Sequence, residues 1–160
     1  VTRYETLLFL HVASAFAFVA AYTIATAILI AVRRVDSAPA TRVLLRLARP
    51  ADVLAWVGAT GTLAFGVWLA VDVETYELWD AWILSAFAFW LVAEEAIRRE
   101  DLIFRRARRL TVAPALPRAP SPAVELQQLL RSRKVLGLHV TGSVALVAVL
   151  ALMIFKPGAA

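Results

Sequence analysis

The stretch LLFLHVASAFAFVAAYTIATAILIAV, residues 7–32, decides the fold, because its 26 residues contain no Asp, Glu, Lys or Arg. As a helix they would extend about 39 Å, more than the roughly 30 Å of bilayer hydrocarbon. Working outward, uncharged blocks recur at residues 53–71, 81–93 and 135–155. The second is opened by Arg49-Pro50-Ala51-Asp52, which reads as a helix start with Pro in the first turn and an acid at the positive dipole end. The last is closed by Lys156-Pro157-Gly158, a charge followed by helix breakers. The third is short, and a crossing needs about 20 residues, so Asp80, Glu94 and Glu95 fall near its ends. Trp79, Trp82 and Trp90 suit interfacial anchoring there. The sequence therefore predicts an all-α integral membrane protein, an up-down four-helix bundle in a single domain over residues 1–160. Its helices are expected at about 5–33, 51–72, 78–109 and 124–156.

Composition agrees. Hydrophobic residues make up 61% of the chain and mean hydropathy is +0.74, against about 45–50% apolar usage in soluble domains. The absence of cysteine excludes disulfides and thiolate metal sites. A net charge of +5 could suit nucleic acid, but the arginines flank apolar blocks and do not interleave with aromatics, so no nucleic-acid partner is expected. The first apolar block is too long for a secretory signal and lacks a basic leader.

Basic residues set the expected orientation. Residues 33–50 hold five arginines and residues 98–134 hold ten Lys and Arg, whereas residues 72–80 hold four acids and no base. The positive-inside rule then places both basic segments in the cytoplasm and both termini outside. Glu94 and Arg98, Glu95 and Arg99, and Asp101 and Arg105 are i,i+4 pairs, which predicts that helix three continues past the membrane as a charged cytoplasmic extension. Pro114, Pro117, Pro120 and Pro122 mark a proline-rich linker at about 111–122, and residues 123–134 read as a short amphipathic helix feeding helix four.

Polar residues inside membrane helices are costly and become candidates for function. His11 shares a face with Ser14, Ala15, Phe18 and Tyr22, and His139 lies near the inner end of helix four. Helices one and four run antiparallel, which puts the two histidines in opposite leaflets, roughly 15 to 20 Å apart along the normal. One metal cannot take both, and no metal site is expected. Met153 falls in the same leaflet as His11, so a haem b held by His11 alone or by His11 with Met153 is open, beside the plainer readings of a core-filling methionine and a histidine satisfied by a neighbouring helix. Asp52, Glu94, Glu95 and His139 form a candidate proton-handling or polar cluster near the inner leaflet, unless Glu94 and Glu95 simply pair with Arg98 and Arg99. No arrangement of nucleophile, base and orienting group appears, so no catalytic residue is nominated. Helix packing is signalled by two four-residue-spaced stripes of small side chains, Ala13, Ala17, Ala21 and Ala25 on helix one and Gly58, Thr62 and Gly66 on helix two.

Leu8-Phe9-Leu10-His11-Val12, Arg49-Pro50-Ala51-Asp52, Thr60-Gly61, Gly66-Val67-Trp68-Leu69-Ala70, Trp82-Ile83-Leu84-Ser85 and the terminal Leu152-Met153-Ile154-Phe155-Lys156-Pro157 resemble a bacterial family of predicted integral membrane proteins of unknown function. More distantly, the helix-one histidine resembles that of copper-resistance membrane bundles and of the membrane protoporphyrinogen oxidase. That likeness implies haem or metal at His11. The family resemblance implies a multi-pass protein of the bacterial cytoplasmic (inner) membrane, with the lipid bilayer around it. Two functions remain open: a non-catalytic subunit beside other membrane protein subunits of a larger complex, or a haem-b redox protein using His11.

Overall fold

The computed structural model describes residues 2–72, 77–112 and 121–157, with the backbone alone at Ala38. Among the described residues all regular structure is helical: α1 (Arg3–Arg34), α2 (Ala38–Asp72), α3 (Ala81–Leu110), α4 (Pro122–Arg131) and α5 (Arg133–Phe155). The linker prolines Pro114, Pro117 and Pro120 and residues 73–76 of the acidic loop lie outside the described residues.

Helix α1 opens on a capping box. Thr2 Oγ1 accepts from the Glu5 amide at 3.2 Å, and the Glu5 carboxylate accepts from the Thr2 amide at 2.8 Å. Two of the four orphan donors of the first turn are thereby satisfied. At the other end Arg33 and Arg34 sit in the last turn, where cations complement the exposed carbonyls.

Helix α2 corrects the sequence reading. It begins at Ala38, so Pro50 lies inside it and Asp52 sits in mid-helix, away from the positive dipole end. The reason is packing. Thr41, Leu45 and Ala48 recur at i, i+4 and i+7 and are buried, and Leu45 and Ala48 join Ile28, Val32, Ala107, Leu126 and Leu130 in one apolar core. Burial on that scale outweighs the single backbone hydrogen bond that Pro50 cannot donate. The short helix expected at 123–134 is α4, and Ser132, extended at φ −60° and ψ 145°, separates it from α5 within the span expected at 124–156.

The helices pair as two antiparallel hairpins, α1 against α2 and α3 against α5. Two cores are stacked along the bundle. One holds Phe18, Trp90, Ala93, Ala145, Leu146 and Val149. The other, toward the basic end, is the cluster around Leu45 and Ala107, into which α4 turns Leu126 and Leu130. Outside, the pattern of a soluble protein is inverted: Phe16 is 73% exposed, Trp56 71% and Val147 65%. Among the described residues three stretches are long and apolar enough to cross a membrane, Arg3–Arg34, Pro39–Asp72 and Pro122–Phe155. Helix α3 runs beside α5 but carries charge from Glu94 onward.

Candidate functional site

Among the described residues the apolar interior contains one buried acid–base pair. His139 of α5 and Glu100 of α3 are each only 6% exposed, and the imidazole Nδ1 lies 3.1 and 3.2 Å from the two carboxylate oxygens. Helix α1 completes the group. The Tyr22 ring stacks on the imidazole, centroids 4.9 Å apart and planes inclined by 1°, and its hydroxyl donates to the His139 carbonyl at 2.8 Å. Gly142 makes this approach possible, because a Cβ there would lie 2.9 Å from the Tyr22 hydroxyl. Ser143 stands 3.2 Å from the same hydroxyl.

Thr26 Oγ1 donates to the Tyr22 carbonyl at 2.9 Å and lies 2.9 Å from His139 Nε2, so both imidazole nitrogens have a hydrogen-bonding neighbour. Tyr22 and Thr26 belong to one hairpin, His139, Glu100 and Ser143 to the other, so the group ties the two together.

His11 occupies a different setting, eleven residues and about 16 Å along α1 from Tyr22. Its Nδ1–H donates to the Thr62 carbonyl of α2 at 2.9 Å. The ring lies against Gly66, where a Cβ would come within 2.9 Å of Cε1. Nε2 has no hydrogen-bond partner among the described residues. The stripe Gly58, Thr62 and Gly66 packs on this same face of α1: a Cβ at Gly58 would lie 2.5 Å from the Phe18 amide nitrogen and 2.9 Å from the Ser14 carbonyl oxygen. The alanine stripe has mixed surroundings, Ala13 being exposed, Ala17 and Ala25 half-buried and Ala21 buried.

The remaining candidates are dispersed. Asp52 pairs with Arg108 at 2.9 Å. Glu95 pairs with both Arg98 and Arg99 at 2.7 Å, and Asp101 with Arg105 at 2.6 Å. Glu94 is half-buried and has no ion-pair partner among the described residues. The four residues Asp52, Glu94, Glu95 and His139 are therefore not brought together, and His139 takes Glu100 instead. Met153 is 37% exposed on α5 and makes no hydrogen bond or ring contact with His11. Glu100 carried a legible signal: Ala86, Trp90, Ala93, Ala96 and Ala107 are the buried stripe of α3, and Glu100 is the acid lying on it.

An exterior rich in exposed apolar side chains, with three helical stretches among the described residues long and apolar enough to cross a bilayer, defines a helical integral membrane protein. The family model described as predicted integral membrane protein (DUF2269) matches residues 5–157, and the chain belongs to that family. No curated protein and no solved structure matches it, so the more distant likeness to copper-resistance and protoporphyrinogen oxidase bundles finds no support there.

Proposed function

We propose that this chain is a non-catalytic integral membrane subunit that works beside other membrane proteins in the bacterial cytoplasmic membrane, with both termini outside. One observation carries the reading. On α3, Glu95 and Arg99 flank Ala96 beside Leu138 and Thr141 of α5, a depth at which α5 is wholly uncharged. Charged groups facing hydrocarbon are costly, and a neighbouring subunit with polar groups at the same depth would relieve that cost. The polar groups of the interior are meanwhile engaged in joining helices. Native mass spectrometry after mild solubilisation tests the proposal. A defined heteromeric assembly, weakened by Glu95→Leu with Arg99→Leu, is the expected result, and a protein that runs alone as a monomer overturns it. Labelling of Leu78→Cys from outside and Val112→Cys from the cytoplasm is the expected topology.

One observation favours a second reading, a haem-b redox protein. A histidine that ligates metal commonly donates its other ring N–H to a carbonyl, and His11 does so to Thr62 while Nε2 is left without a partner. Purified protein would then show a Soret band that His11→Ala abolishes and His139→Ala retains. A colourless preparation from haem-replete cells rules this reading out.

A further inference from the structure

At the basic end, the seam between α1 and α5 opens into a groove of about 470 Å³, within the usual range of ligand clefts. Leu29 and Ile30 of α1 and Leu136 of α5 form its apolar walls, Thr26 and His139 close its inner end, and Arg33 and Arg34 stand at its mouth. Arg33 is held in place: its Nη1 donates to the carbonyls of Leu130 and Ser132 at 2.9 and 3.4 Å, where α4 gives way to α5. Arg34 has no carboxylate partner among the described residues, and neither do Arg133 and Lys134, which open α5 just before Leu136. Nearby acids are committed elsewhere, Asp36 to Arg131 at 2.5 Å and Glu125 to Arg106 at 2.6 Å.

We propose that this groove binds an anionic phospholipid of the leaflet at the basic end. The phosphate sits between Arg33 and Arg34, and an acyl chain lies between Leu29, Ile30 and Leu136. The charge pattern and the shape select together. Basic pockets between membrane helices suit anionic headgroups, while the walls offer apolar contact that a free anion cannot use. A zwitterionic lipid fits the walls but brings no net negative charge to the cations.

Titrating delipidated protein with phosphatidylglycerol or phosphatidylcholine under native mass spectrometry tests this, with inorganic phosphate as competitor. Phosphatidylglycerol should bind in preference to phosphatidylcholine and resist millimolar phosphate. Arg34→Gln, at an exposed position, should weaken it about fivefold, the effect of one cation near an anionic surface. Leu136→Trp, which fills the groove, should abolish retention, whereas Val144→Trp on the exposed surface of the same helix should not. Equal retention of the two lipids, full displacement by phosphate, or unchanged binding in Arg34→Gln would overturn the proposal. Arg34→Gln decides the matter even if Leu136→Trp fails to fold.

Discussion

The two histidines of the bundle show how one side chain serves two kinds of interface. His11 lies within a hairpin, between α1 and α2, which are already held close by Gly58, Gly61 and Gly66; it makes one hydrogen bond and keeps one nitrogen without a partner. His139 lies between hairpins, where fewer backbone approaches exist, and there both nitrogens, the ring face and the carbonyl are all engaged. Within a hairpin, backbone proximity does the work and the imidazole is an addition. Between hairpins, long side chains must bridge the gap, and a buried polar group is tolerated because every atom of it is satisfied.

That contrast can be broken most forcefully at the buried pair. Removing one partner leaves the other desolvated and alone, so Glu100→Leu or His139→Leu should each cost about 3–5 kcal/mol, while the double substitution should recover much of it. A double-mutant cycle on reversible unfolding in detergent measures this. Additive losses would show that the two residues do not act as a pair. Overpacking the hairpin should cost less. Gly58→Leu drives a side chain into the Phe18 and Ser14 backbone and should destabilise by about 1–3 kcal/mol. Gly137 is the control of opposite sign. A Cβ there meets nothing within 4 Å, so Gly137→Ala should stabilise α5 by up to about 1 kcal/mol through helix propensity. The smallest effect is expected at His11: as a structural residue, His11→Ala should cost about 0.6 kcal/mol, the mean for interhelical hydrogen bonds in membranes. A loss of several kcal/mol there would erase the distinction between the two sites.

Much of this was legible along the chain. The uncharged run at residues 7–32 and the block closed by Lys156 announce membrane helices whatever their neighbours, and Tyr22 falls on the helix-one face that carries His11 and Phe18. The start of α2 was not legible, because Pro50 is the strongest local boundary signal while Leu45 and Ala48 matter only once a core exists to receive them. The partner of His139 was hidden for a related reason. Local i,i+4 spacing links Glu94 and Glu95 to arginines, and that logic says nothing about an acid that faces inward across the bundle. Glu100 betrays itself only by sitting on a stripe of alanines.

The uncharged lengths of the helices differ, and the difference has a mechanical consequence. Residues 135–155 of α5 present about 32 Å without a charge, whereas residues 81–93 of α3, packed alongside, present about 20 Å. The apolar belt is therefore taller on one side of the molecule than on the other. A bilayer of uniform thickness meets that wedge by thinning on the α3 side or by tilting the bundle, at fractions of a kcal/mol per ångström of hydrophobic mismatch. Over about 12 Å the total reaches several kcal/mol. With α3 embedded as proposed and left uncovered, that mismatch would favour thin or curved regions of the membrane.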